Sequence, residues 1–588
     1  MIKIFKYLER KDWAFMLFSL VFIVFQVWLD LKLPDYMSEI TQLVQTEGSE
    51  MNDILSAGGS MLLCAFGSLA ATFIVGYFVA KIAAGLSMRL REMVYNKTIS
   101  FSMEEINSFS TASLITRTTN DITQIQMFVA IGLQALVKAP IMAVWAVVKI
   151  AGKGWEWTAV TGGAVIILVL MLGTIIGLTM PKFKIIQKLT DNLNRVAREN
   201  LTGIRVVRAY NAERYQEERF EKANGDLTKT NLFTNRIMAV MQPGMTLIMS
   251  GLSLAIYWIG VYLIDGAAMT EKLNLFSNMV VFSSYAMQVI MAFMLLTMTF
   301  IILPRAAVSA KRVNEVLDTE ERITNGSVTS SELYEQGEVV FHHVGFRYPD
   351  AEDYVLHDIS FTAHRGETVA FIGSTGSGKS TLINLIPRFY DATEGEVIID
   401  GVNIKNYTQE ALHNKLGYVP QKSVMFSGTV SSNVSYGENG KEPADAELIR
   451  DSIAIAQAEE FVKKMDGTYD ASITQGGTNI SGGQKQRLAI ARAICRQPEI
   501  YVFDDSFSAL DYKTDRILRK VLKEKTGGIT TLIVAQRIGT IMDADKIIVL
   551  DEGRIVGQGT HKALLDTCPV YREIAESQLS KEEIEHAE

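Results

Sequence analysis

Apolar positions along this chain come in two arrangements that do not mix. Through the first 310 of the 588 residues they gather into runs near 13–35, 56–80, 128–150, 157–180, 240–264 and 275–303. Each is close to the roughly 20 residues needed to cross a bilayer. Beyond residue 337 the apolar runs shorten into strand-like pieces that alternate with helix-periodic segments to about residue 572, the pattern of an α/β domain. The fold expected is therefore multidomain: a six-helix, all-α transmembrane bundle over 13–310, a linker over 311–337 and an α/β domain over 338–575. Inside the linker, Thr319-Glu-Glu-Arg-Ile-Thr-Asn-Gly-Ser carries the turn-forming residues.

The polar stretches between the spans set an orientation. The connection after span two holds Arg89, Arg91, Lys97 and Arg117, and the one after span four holds Lys182, Lys184, Arg195, Arg198, Arg205 and Arg208. Tyr36 to Asn52, read as the loop after span one, has no Lys or Arg. The positive-inside tendency then puts the basic connections and both termini on the cytoplasmic side. These connections lack a strong Pro or Gly break, so the membrane helices should run on into the cytoplasm and bring their turning points to the soluble domain. Residues 1–12, where Ile2, Ile4, Phe5 and Leu8 alternate with lysines, predict a short elbow helix in the headgroup layer. No small-residue cleavage site follows, which argues against a secretory signal. Residues 576–588 read as a polar, frayed tail.

Composition changes this picture little. A mean hydropathy of +0.16 fits a half-membrane chain. A formal charge of −8 gives no electrostatic grip on nucleic acid, and none is expected as a partner. Cys64, Cys495 and Cys568 lie far apart without C-x-x-C spacing, so neither a disulfide framework nor a zinc site is expected.

The chemistry begins at Gly373-Ser374-Thr375-Gly376-Ser377-Gly378-Lys379-Ser380, which follows the apolar run Thr368 to Ile372 and has the spacing G-x-x-x-x-G-K-[ST]. Glycines let successive backbone N–H groups turn toward phosphates, Lys379 brings a point charge to the outer ones, and Ser380 offers a hydroxyl to Mg²⁺. A helix opening here, with Thr381 next in line, adds its positive dipole end. The chain is thus expected to bind ATP or GTP.

About a hundred residues on come Ile480-Ser481-Gly482-Gly483-Gln484 and then Ile500-Tyr-Val-Phe503-Asp504-Asp505. With these three elements in order the chain resembles the ATP-binding-cassette transporters. That resemblance implies ATP and Mg²⁺ as cofactors, with Asp504 at the end of a buried strand near the metal. It also implies that Ser481 to Gln484 hold the terminal phosphate of ATP bound on an opposing subunit. Ser481 and Gln484 equally form an S-x-x-Q capping box that would start a helix. Tyr348 matches the aromatic that stacks on adenine, Gln421 the glutamine that reaches Mg²⁺, and Ser508-Ala-Leu-Asp511 the loop at the dimer interface. Metal contacts are thus implied for Ser380, Gln421 and Asp504. Glu199 to Tyr210 and Ala310 to Leu317 look like the exporter branch, in which one chain carries six spans and one cassette.

Two positions depart from the family. The general-base glutamate is replaced by Asp505, one methylene shorter, and the phosphate-contacting histidine by Gln536. A base must lie within hydrogen-bond reach of the proton it takes, and its misplacement costs on the order of 10² to 10⁴ in rate. Glutamine can donate a hydrogen bond but carries no imidazole proton. The chain therefore resembles the degenerate-site subunit of a bacterial heterodimeric multidrug exporter. A second, non-identical half-transporter would supply the competent site, completed by this chain's signature. A homodimer with two slow sites and an ATP-switched regulatory or gated membrane protein are the alternatives. Met238, Met241, Met245 and Met249, then Met287, Met291, Met294 and Met298, fall at helical spacing. They suit either a surface that repacks around small amphipathic substrates or ordinary packing. Lys138, Asp30 and Lys32 are costly in hydrocarbon, which predicts paired or cavity-facing roles, with snorkelling open for Lys138. The expected setting is the cell membrane, multi-pass.

Overall fold

The computed structural model describes residues 2–46, 48–151, 154–330, 336–349, 351–508, 510–525 and 527–579. It divides into two units, one of Met1–Ile99 with Ala112–Thr319 and one of Ser100–Thr111 with Glu320–Glu588.

Among the described residues of the first unit, six helical stretches are long and apolar enough to span a membrane. They are α1 (Arg10–Gln45), α2 (Met51–Ser100), α4 (Thr111–Ala151), α5 (Trp155–Thr202), the pair α7 (Glu213–Ala239) and α8 (Met241–Asp265), and α9 (Met269–Leu317). Two short helices sit at the turning points, α3 (Met103–Phe109) and α6 (Ile204–Ala209). Pro34, Pro140, Pro181 and Pro304 lie inside these helices, a placement membrane helices tolerate because neighbouring groups re-satisfy the freed carbonyls. Trp157, Phe282 and Tyr285 are fully buried at the centre, and Trp157 Nε1 donates to the Ile256 carbonyl at 3.2 Å.

Several boundaries differ from the sequence expectation. Helix α1 continues ten residues past 35 through the stretch expected as a loop. Its C-terminal part is held on α9, where Ser38 pairs with Ser277 and Gln42 Nε2 donates to Asn274 Oδ1 at 3.4 Å. Tyr285 OH donates to Asp35 Oδ1 at 2.6 Å on the same seam. Helix α9 likewise runs to Leu317, into the segment read as linker. The expected elbow is a 3-10 turn, Ile2–Tyr7, with Ile4 buried and Lys3 paired to Asp318 at 2.8 Å.

The second unit is an α/β domain. A four-stranded antiparallel sheet has the order β2 (Leu356–Ala363), β1 (Val339–Phe346), β4 (Glu394–Ile399), β5 (Val402–Asn403). A six-stranded sheet runs β12 (Arg554–Gly559), β11 (Lys546–Asp551), β3 (Thr368–Gly373), β10 (Thr530–Val534), β9 (Ile500–Asp504), β6 (Leu416–Val419). The small pair β7 (Gly428–Thr429) and β8 (Ser472–Ile473) lies apart. All neighbours from β11 to β6 pair in parallel. Strands β9 and β10 are buried at every position, on both faces, as internal parallel strands are. The turn α3 belongs to this unit: Asn107 Nδ2 donates to Tyr390 OH at 3.1 Å and Glu104 pairs with Arg322.

Candidate nucleotide site

Four adjacent parallel strands, β3, β10, β9 and β6, end on one edge of the sheet, and each hands a functional segment to the loop beyond it. In open α/β sheets ligands sit at this carboxyl edge. Strand β3 delivers the glycine-rich loop, β9 ends in Asp504 with Asp505 next, β10 leads through Ala535 to Gln536, and β6 through Pro420 to Gln421. A cavity of about 510 Å³ at this edge is lined by Gly373 to Gly376, Gly378 to Thr381, Gln421, Asp505 and Gln536.

The glycines are required by shape. A Cβ on Gly373 would lie 1.9 Å from the Leu550 carbonyl oxygen. Gly378, at φ +93°, holds a left-handed conformation that side chains resist, and helix α10 (Lys379–Asn384) starts directly after it. Lys379 Nζ donates to the carbonyls of Gly373 at 2.9 Å and Ser374 at 2.6 Å and to Ser377 Oγ at 3.2 Å. The ammonium is thus kept within its own loop, at the mouth through which a phosphate would approach. Burial holds its pKa below the ordinary lysine range, against the pull of Asp505 and Asp504.

The metal-side residues are in reach of one another. Ser380 Oγ donates to Asp504 Oδ1 at 3.0 Å, so a hydroxyl and a buried carboxylate meet beside the loop. Burial raises the Asp504 pKa, opposed by that hydrogen bond. This pairing of hard oxygen donors fits a Mg²⁺ ion, which binds through one or two carboxylates plus phosphates.

Asp505 gathers the remaining polar groups. Gln536 Nε2 donates to its Oδ2 at 2.7 Å and Gln421 Nε2 to the same oxygen at 3.3 Å. Its backbone sits at φ +47°, a left-handed conformation that Asp tolerates better than most residues. Burial pushes its pKa up, with the hydrogen bonds from Gln421 and Ser508 and the charges of Lys379 and Arg537 pulling it back. The two departures noted in the sequence, Asp505 and Gln536, therefore touch each other.

Other expected residues lie elsewhere. Tyr348 is absent from the cavity lining; its hydroxyl meets Thr381 Oγ1 at 3.0 Å, and its ring packs edge-on against Phe346 and Tyr390. Ser481, Gly482, Gly483 and Gln484 are not in the cavity either. Ser481 caps helix α11 (Gly482–Cys495): its N–H donates to Gln484 Oε1 at 2.8 Å, and Gln484 N–H donates to Ser481 Oγ at 3.3 Å. Ser481 and Gly482 are exposed. Asp511 caps helix α12 (Tyr512–Lys525) by accepting from Thr514 N at 3.0 Å and Thr514 Oγ1 at 2.7 Å. Within one chain the capping role is the one realised, and the phosphate loop lacks these groups.

Residues the sequence reading missed complete the wall. Val355, Val534, Ile574, Ser577 and Gln578 line the same cavity. Ser577 and Gln578 fall in the stretch expected as frayed, yet helix α14 (Pro569–Gln578) includes both; residues 580–588 lie outside the described set. Helix α13 (Ile538–Ile541) begins two residues after Gln536.

In the membrane unit, Lys138 Nζ pairs with Asp30 Oδ2 at 3.4 Å, and Asp30 also accepts from Ser68 Oγ at 2.5 Å. Lys149 pairs with Asp35 at 2.8 Å, and Lys32 lies 5.9 Å from the centre of the Trp28 ring. Of the methionines, Met245 is buried in the bundle core and Met241, Met249 and Met294 pack against it, whereas Met291 is exposed. The side chain of Met298 lies outside the described set.

Comparison with known proteins adds the following. The ABC transporter transmembrane region matches residues 16–321 and the ABC transporter family residues 356–508. An uncharacterized ABC transporter ATP-binding protein of Mycobacterium tuberculosis is 40% identical over 533 residues, covering 89% of this chain and 88% of that one. An ATP-dependent lipid A-core flippase of Pseudomonas savastanoi pv. phaseolicola is 30% identical over 495 residues, covering 84% and 80%. A solved bacterial Atm1-family ABC exporter with ATP bound superposes with a TM-score of 0.79 at 24% identity, covering 97% of this chain and 98% of the other, a likeness of fold.

Proposed function

The chain belongs to the ABC transporters, as a multi-pass exporter half with one membrane region and one ATP-binding domain, and from that premise we propose that it holds ATP at a slow site while a non-identical partner chain hydrolyses. One observation carries the reading. The only carboxylate following Asp504 at the strand end is the short Asp505, and two glutamine amides already occupy the oxygen that would have to orient water. Beside it the glycine-rich loop, Lys379, Ser380 and Asp504 lie together.

The residues divide the work as follows. The loop Gly373 to Gly378 presents backbone donors to phosphate oxygens, and Lys379 exchanges three contacts within its loop for contacts with the outer phosphates. Ser380 and Asp504, with Gln421, would hold Mg²⁺, which supplies charge neutralisation for phosphoryl transfer. Ser481 to Gln484, of which Ser481 and Gly482 are exposed on this chain, would complete the partner's site, as backbone N–H groups at a helix start suit an anion. Closure of the two cassettes would be passed on through turns such as α3, whose Asn107 bonds Tyr390 while Tyr390 packs on Tyr348. The cargo we propose is amphipathic, drug-like or lipid-like. Its support is the flippase relative, a bundle core that includes methionines, and the half-buried Lys138–Asp30 pair in the same unit. The basic connections after spans two and four favour a cell-membrane setting with both termini cytoplasmic.

The test is coexpression with candidate partner half-transporters and ATP-dependent dye or lipid transport in vesicles. Transport that needs the partner's general-base glutamate but survives Asp505→Asn here supports the reading. Transport by this chain alone, lost in Asp505→Asn, overturns it.

A further inference from the structure

Helix α14 is fixed to the cassette core before it reaches the nucleotide cavity. It packs on β3, β11 and α13; Tyr571 and Ala575 are fully buried, and Tyr571 OH meets His561 Nδ1 at 2.6 Å. Ile574 and Leu579 pack against the same core. The helix end therefore cannot swing freely, and Gln578 projects from a rigid platform. Its amide makes two bonds at once. Nε2 donates to the Gln536 carbonyl at 2.9 Å, and Oε1 accepts from the Ile538 N–H at 2.8 Å. Both partners are main-chain groups that flank the residue whose own side chain reaches Asp505 at 2.7 Å.

We infer that Gln578 is a positioning residue of the nucleotide site: a two-pronged clip that fixes residues 536–538 and so aims the Gln536 amide at the outer-phosphate end of the cavity. Several features support this over simple helix anchoring. A single side-chain amide satisfying a carbonyl and an N–H two residues apart fixes both direction and register of the loop. The Ile538 N–H is one of the first donors of α13, which otherwise has no side-chain cap. The clip, Gln536 and Asp505 form one continuous chain of bonds that ends within reach of the Lys379 loop, where outer phosphates sit. The inference rests on the nucleotide-binding reading of the cavity and not on its slowness.

The experiment compares the full-length chain in lipid nanodiscs with Gln578→Ala and with Gln578→Met, which keeps length and stem but lacks the amide. Equilibrium binding of the imido analogue of ATP and of ADP is measured for each, with Mg²⁺ present. Loss of hydrogen-bond positioning predicts weakening of the ATP analogue by about 3- to 10-fold, with ADP changed by less than about 2-fold. The same substitutions made in a Gln536→Ala background should then add nothing, because the clip acts through that side chain. Equal weakening of both nucleotides, an undiminished effect in the Gln536→Ala background, or unchanged binding in Gln578→Met would each overturn the assignment. A wild-type chain that binds neither nucleotide overturns the reading of the cavity along with it, which separates the two failures.

Discussion

The two ends of the nucleotide cavity are built to different standards. At the holding end, every group works at close range: Gly378 in its left-handed turn, Lys379 poised on three acceptors, Ser380 against Asp504 at 3.0 Å. At the cutting end, Asp505 shares one oxygen between two amides. The difference is chemical rather than architectural, because both ends hang from neighbouring strands of one sheet with regular parallel register. On the proposed reading, binding and hydrolysis should then be separable by mutation.

The largest effect expected is a gain. Asp505→Glu combined with Gln536→His should restore reach and a titratable donor at the cutting end, raising hydrolysis by this chain's own site on the order of 10²-fold; steady-state phosphate release checks it. A double variant no faster than wild type would mean that the two ends do not differ in the way described. Next, Lys379→Ala should weaken ATP binding by about 10- to 100-fold, measured as the dissociation constant. Asp505→Asn should leave that constant within about 3-fold, which sharpens the separation of the two ends.

A smaller effect concerns pH. Burial raises the Asp505 pKa, so at a given mildly acid pH more of this carboxyl is protonated than an ordinary aspartate would be. Only the ionised form can accept a proton from water. Residual hydrolysis should therefore fall on acidification with a midpoint above the usual aspartate range, and Asp505→Asn should flatten that profile.

Much of this was legible in the chain. The six spans follow from run length, and the glycine-rich loop with Asp504 from spacing, because each is local and its chemistry needs particular residues in sequence; for Ser481 to Gln484 the structure shows the capping box that the sequence equally offers. Three things were not. The apolar run of α1 ends near residue 35 and Tyr36 to Asn52 read as a loop, but contacts of Ser38 and Gln42 with α9, more than 200 residues away, hold the extension in place. The end of α14 looked like a tail because Ser577 and Gln578 are polar; only the burial of Tyr571 and Ala575 behind them shows that the helix is docked. The hydrogen bond between Gln536 and Asp505 joins residues 31 apart, and the parallel pairing of β9 with β10 is what brings them together. Spacing alone identified each as a departure without showing that they meet.

The most direct measurement is a single-turnover experiment on the purified chain without a partner. ATP carrying a labelled terminal phosphate is bound, excess is removed, and the fraction still intact is followed in time. Intact ATP should be retained stoichiometrically over many minutes by both wild type and Asp505→Asn, because the residual hydrolysis that Asp505 supports is slower than that. Prompt conversion to ADP by the wild type, stopped by Asp505→Asn, would contradict it.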